Sequence, residues 1–201
     1  MRIACLGWGS LIWDPDTLPL SPAQPPRWFR DGPRIPIEFA RRSRDNRLTL
    51  VVVPRDPAKE VPTLWACLSC STISDAKFEL ATRELRNPHP SPRWIAQNIG
   101  AWTKAGTSNP LPGIDIGQWA QSKGLEGVVW TALGPNFGSP PRPPTWAEAE
   151  RHLKSLSGTE AMAAKEYVRR TPKQVLTEFR PHIEQTFNWT YDGSRTDPEI
   201  N

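Results

Sequence analysis

Gly7, Trp8, Gly9 and Ser10 interrupt the apolar run Ile3-Ala4-Cys5-Leu6, and apolar residues return at Leu11, Ile12 and Trp13. Glycines on both sides of Trp8 permit a turn whose backbone N–H groups face open space. A nest of amides of that kind binds an anion, and a serine hydroxyl beside it supplies one more donor. A carboxylate gripped there needs no lysine. The same residues also read as a plain tight turn in which Trp8 packs and Ser10 caps, because short Gly-x-Gly spacings recur for conformational reasons alone.

Other side chains exclude more chemistry than they suggest. Cys67 and Cys70 stand three apart in a stretch that reads as a strand, so they leave opposite faces and do not share a metal or a disulfide. No second pair exists to complete a zinc site. His89, His152 and His182 are scattered without ligand spacing, and no Ser-His-Asp set can be assembled. No metal site is therefore expected from these residues. The run Arg41 to Arg47, RRSRDNR, is a basic turn. Such runs are usually solvated faces, and the other reading is a lure for an anionic substrate or a phosphate backbone. Most of the ten tryptophans read as core, but Trp8 and Trp13 flank the glycine loop and can wall a pocket beside it.

The elements that must position these residues follow from periodicity. Residues 2–6 read as a buried strand, followed over 14–34 by a proline-rich loop. RIPIEFA alternates, with Ile35, Ile37 and Phe39 on one face, and RLTLVVV returns after the turn SRDN as a hairpin. Residues 54–62 read as a loop and TLWACLSC as another strand. A helix then starts at Ser74 or Asp75, with a stripe of Phe78, Leu80, Ala81 and Leu85, and stops at Asn87-Pro88. The stretch 88–112 looks irregular, with a short helix around Trp94 to Trp102. Asp115 caps a helix closed by Gly124, and LEGVVWTAL is the last strand. Thr145 and Glu148 have capping-box spacing before an amphipathic helix. A further helix runs from Thr159 to Arg170, PHIEQTF is a last helical piece, and residues 190–201 form a polar, frayed tail.

The stretch GWGSLIW after a strand resembles the signature loop of the gamma-glutamylcyclotransferase-like family, ChaC branch included, in which GYGSLIW is a typical form. Here Trp8 stands at the tyrosine position, while Gly9, Ser10 and Leu11 keep the pattern. IEFARRS, Ile37 to Ser43, is similar to the family's following strand. The resemblance implies a small mixed β-barrel flanked by helices, here with extra C-terminal helices. It also implies that residues Gly7 to Leu11 bind the α-carboxylate of a γ-glutamyl group. The implied reaction is attack of the substrate's α-amine on its own γ-carbonyl, giving 5-oxoproline and a free amine, with no metal or cofactor required.

That reaction needs one general base, and a buried carboxyl with a raised pKa suits it. In the family the base follows a strand and a helix in an Arg-Glu-Gly context. Arg83-Glu84 matches in order and spacing, with Leu85 where the glycine would stand, so the resemblance makes Glu84 the base. Glu38 is second: if its strand lines a barrel, it points inward and needs a partner such as Arg41 or Arg42. Glu79 lies on a different helical face. A non-catalytic module binding a small carboxylate or a protein tail is the alternative on the same fold.

Bulk properties frame these readings. A length of 201 residues suits one domain, here 1–189 before the tail, and 23 prolines exclude an all-helical bundle. Strands early and helices late make the class α+β. A net charge of +4 admits an anionic small molecule and argues only weakly for nucleic acid, which is not the expected partner. No run approaches the ~18 apolar residues of a membrane span. Met1-Arg2 leads into a strand and not into an apolar leader. Three cysteines, an odd number, fit a disulfide-free cytoplasmic protein, either monomer or homodimer.

Overall fold

The computed structural model describes residues 1–22, 27–54, 59–111 and 114–193. In chain order these form β1 (Ile3–Gly7), β2 (Arg34–Arg42), β3 (Leu48–Val52), β4 (Glu60–Pro62), β5 (Leu64–Leu68), α1 (Ile73–Leu85), α2 (Pro92–Asn98), β6 (Ile99–Thr103), β7 (Gly106–Ser108), α3 (Ile116–Ser122), β8 (Gly127–Thr131), α4 (Trp146–Ser155), α5 (Gly158–Arg170) and α6 (Phe179–Phe187). The class is α+β, as the order of strands and helices implied. The strands do not close into the expected barrel: among the described residues they make two sheets, β5-β1-β8-β6-β7 and β3-β2-β4.

β1 is the buried spine of the larger sheet. It pairs antiparallel with β5 (Ile3 opposite Leu68, Gly7 opposite Leu64) and parallel with β8 (Ile3 opposite Gly127). Flanked on both edges and covered on both faces, all five residues are buried, which is why this strand reads as a continuous apolar run and not as an alternation. α1 packs on β6 and β8. Its N-cap is Thr72, whose hydroxyl accepts from the Asp75 N–H at 3.1 Å, two residues before the earliest cap the sequence suggested. The buried stripe is Ala76, Leu80, Ala81 and Arg83, whereas Phe78 is 40% exposed. Residues three and four beyond Leu80 share its face, so this stripe carries Arg83 and Glu84 toward the end of β1.

β2 turns Ile35, Ile37 and Phe39 into the main core, while Ala40 joins Val51 and Val53 in a small cluster beneath Leu133. A register shift between Phe39 and Arg41 re-aims the end of the strand. Three strands were not foreseen: β4, β6 and the short β7 that pairs with β6. β4 pairs with β2 inside the expected loop. β6 begins where the helix around Trp94 stops, at Asn98. Gly100 disguises β6: glycine is a poor strand former, yet a Cβ here would run into the indole of Trp130 on β8.

α4 carries the capping box as its spacing requires, with Glu148 N–H to Thr145 Oγ1 at 3.3 Å and Thr145 N–H to Glu148 Oε2 at 2.8 Å. Arg142 holds the same glutamate through both carboxylate oxygens at 2.7 and 2.8 Å. Thr190 and Asp192, expected in the tail, are tied to Arg169 through a 3.3 Å bond to the Thr190 carbonyl and a 2.9 Å ion pair. Residues 194–201 of that tail, and 55–58 of the loop between β3 and β4, lie outside the described residues. Among the described residues no helix is long and apolar enough to cross a membrane.

Candidate functional site

The chain leaves β1 at Gly7 and folds into a compact turn closed by Ile12 N–H to Gly9 O (3.1 Å) and Asp14 N–H to Ser10 O (2.8 Å). These bonds use the carbonyls of the turn. The N–H groups of Trp8, Gly9, Ser10 and Leu11 donate to no acceptor among the described residues. Neither Gly7 nor Gly9 takes the left-handed backbone. Both are required by close approach instead. A Cβ on Gly7 would lie 2.6 Å from Trp28, and one on Gly9 would strike the hydroxyl of Tyr167. Trp8 is buried, and its indole N–H reaches the Leu50 carbonyl at 3.3 Å.

Residues 8–11 line a cavity of about 620 Å³. Trp13 lines it too, so both tryptophans flanking the loop wall this space. Glu84 lines it as well, delivered by the last turn of α1, with its side chain 17% exposed. Its Oε1 accepts from Arg83 Nη1 at 2.9 Å, and its Oε2 has no partner among the described residues. Arg83, 7% exposed, reaches from the same turn to the loop. Nε and Nη2 donate to the Asp14 carbonyl at 3.1 and 2.5 Å, and Nη2 also donates to Ser10 Oγ at 3.2 Å. One planar fork therefore fixes the carboxylate relative to the amide turn. Because Ser10 Oγ accepts from Arg83, its own O–H remains to be donated elsewhere.

Glu38 is placed differently. It is 6% exposed and absent from the cavity lining. Its Oε1 accepts from the Phe39 N–H at 2.7 Å, and its Oε2 from the Phe179 N–H at 3.1 Å, at the start of α6. Burial pushes its pKa up to about 7 against the pull of those backbone donors. The arginines expected to partner it are engaged elsewhere: Arg41 with the Gly134 carbonyl, Arg42 over the ring of Phe137. Glu38 has the acidity of a base but the position of a helix anchor.

Tyr167 on α5 lines the cavity too, and sequence reasoning did not single it out. Its hydroxyl abuts Gly9 and accepts from the Leu50 N–H at 3.2 Å, and its ring meets Trp13 edge-on at 5.5 Å. Burial pushes its pKa up to about 12, so it remains a protonated phenol. The available signal was its rarity, since the chain has two tyrosines and this one falls on the apolar face of a helix. Cys5, Cys67 and Cys70 form no disulfide, and burial raises the pKa of Cys5 and Cys70. Among the described residues no cluster of three His, Cys, Asp or Glu side chains is placed to hold a metal. Compared with known proteins, the chain matches no family model, no curated protein and no solved structure.

Proposed function

We propose that this chain is a gamma-glutamylcyclotransferase-like enzyme that converts a γ-glutamyl amide to 5-oxoproline and an amine. One observation carries the reading: the residues of four backbone amides that donate to no acceptor among the described residues, and Glu84 with one carboxylate oxygen unpartnered there, line the same cavity. The amides of residues 8–11 grip the substrate's α-carboxylate, helped by the Ser10 hydroxyl. The neighbouring α-ammonium then loses a proton to Glu84 Oε2, the oxygen that Arg83 leaves open. The freed nitrogen forms a bond to the γ-carbonyl carbon, and the tetrahedral oxyanion collapses with cleavage of the bond to the leaving nitrogen. That nitrogen takes the proton from Glu84, and the ring nitrogen passes its surplus second proton through the same carboxylate to the released amine, which leaves as an ammonium. No water is consumed. Because nucleophile and electrophile belong to one molecule, holding a single conformer supplies much of the acceleration.

The test is release of 5-oxoproline from a panel of γ-glutamyl compounds by the purified protein. Glu84→Gln is expected to lower release by ~10²–10⁴-fold with an unchanged melting temperature. Release that survives this substitution removes Glu84 from the mechanism. Binding of glutamate-like ligands with no release by the native protein replaces the enzyme with a carboxylate-binding module.

A further inference from the structure

A second cavity, of about 470 Å³, shares only Leu133 with the lining of the first. Its walls come from the ends of β3 and β8 and from the segment after β7. Val53 and Leu133 belong there to the small cluster with Ala40 and Val51, whereas Trp130 and Leu111 belong to the main core. The cleft is thus a seam along which the apolar clusters of the two sheets fail to merge. Protein interiors close-pack, and a gap of this size is far more than a packing defect. An apolar body that displaces water from such walls is favoured.

Two polar side chains on the lining lack a partner. Trp130 is wholly buried, yet its indole N–H has no acceptor among the described residues. Buried indole N–H groups normally find one. Asn109 takes the left-handed backbone, and its Nδ2 donates to the carbonyls of Ala96 and Ile99, both at 2.9 Å. Both amide hydrogens are thereby used and the side chain is fixed. Oδ1 is left as an acceptor with no donor among the described residues.

The sheet brings these two groups to one place. Gly100 pairs with Trp130, and Ala101 pairs with Ser108, the residue before Asn109. Gly100 therefore lies between Trp130 and Asn109, and a Cβ on it would strike Trp130 Nε1. The N–H edge of the indole thus reaches over Gly100 toward Asn109. An open donor near an open acceptor matches a group that carries both, a carbonyl beside an N–H. No lining residue is ionisable, so a charged ligand would lose hydration there with nothing to offset the loss.

We propose that this cleft is a second binding site, for a small neutral carboxamide with an apolar body. Trp130 donates to its carbonyl, and Asn109 Oδ1 accepts from its N–H. The site is independent of the γ-glutamyl reading and of Glu84. Its test titrates the full chain with benzamide, acetophenone and benzoate by calorimetry, and follows the indole N–H signals of ¹⁵N-labelled protein with benzamide. Benzamide, with ~9 non-hydrogen atoms, is expected to bind with a Kd of about 0.1–3 mM. Acetophenone lacks the N–H and is expected to bind ~5-fold more weakly; benzoate, being charged, ~10-fold or more. Benzamide is expected to move one indole signal downfield, the signal that Trp130→Phe removes. The same substitution is expected to weaken benzamide ~5-fold, and Ala132→Phe, which fills the cleft, to abolish its binding. No binding of benzamide by the native protein up to ~20 mM overturns the site. So does binding that both substitutions leave undiminished. Acetophenone equal to benzamide overturns the carboxamide class, and benzoate equal to benzamide places the ligand in the arginine-lined cavity instead.

Discussion

Arg83 is required in two ways that are satisfied by a single side chain. It completes the buried stripe of α1, and it ties Glu84 to the Asp14 carbonyl and Ser10. Lysine offers a point charge in place of a fork. Arg83→Lys is therefore expected to lower 5-oxoproline release by ~10-fold or more and stability by about 1–3 kcal/mol, the latter from the bonds lost at Asp14; equilibrium urea unfolding and a rate assay read the two separately. Gly9 gives a second prediction. Gly9→Ala pushes a methyl into the Tyr167 hydroxyl, and overpacking of this kind costs about 1–3 kcal/mol. Tyr167→Phe removes the obstructing oxygen, so the double variant is expected to be less destabilised than the sum of the single ones. A double-mutant cycle measures the coupling. At this scale the sequence was partly legible. Residues 8–11 of the glycine loop, Trp13 and Glu84 all line one cavity, whereas Gly7, expected with them, packs against Trp28 outside the lining. Tyr167 did not announce itself, because only the packing of α5 on the loop turns a core aromatic into a site residue.

Elements became legible in proportion to how local their signals are. The Thr145–Glu148 box and the Asp115 cap are written within three residues, and both form. β4 and β6 depend on partners far along the chain, β2 and β8, and local composition hides them. The barrel was implied only by resemblance, and nothing in the strand patterns specified closure. Glu38 shows why burial alone misled. Alternation set it opposite the apolar face, and only a barrel was expected to turn it inward; without a barrel it is buried all the same, because the N-terminus of α6 meets it there. Its folded pKa of about 7 lies above the ordinary value of 4.5. The fold thus binds a proton that the unfolded chain releases, so this contribution is complete below pH ~4.5 and is lost as pH rises through ~7. Glu38→Gln, which cannot titrate, is expected to flatten that part of the stability–pH curve. Chemical unfolding of both proteins between pH 4 and 8 checks the sign; a steeper slope in the variant contradicts the assignment.

For the whole molecule, the late helices are integral to the site and not an appendage. α5 brings Tyr167 to the cavity, and α6 and the turn before it are locked in by Arg180. That side chain is 1% exposed and donates to the carbonyls of Thr171, Pro172 and Val175 at 2.9, 2.6 and 3.0 Å. Gln174 reaches back to the carbonyls of Arg30 and Thr63 at 2.9 and 3.1 Å. With such cross-links, one cooperative transition is expected, in which tryptophan fluorescence and far-ultraviolet dichroism coincide. Arg180→Met leaves three buried carbonyls without their donor and is expected to destabilise the protein by about 3 kcal/mol or more. Separation of the two probes in the native protein would show that the helices melt independently.

β1 has one flank at Leu64–Leu68 and the other at Gly127–Thr131. During synthesis, β1 is thus made well before β8, the strand that grips its second edge. Until the distant strand leaves the ribosome, the turn that follows β1 lacks half of its frame, and the helix bearing Tyr167 has yet to be made. The cavity has no complete precursor: translation must pass Tyr167 before its lining is whole.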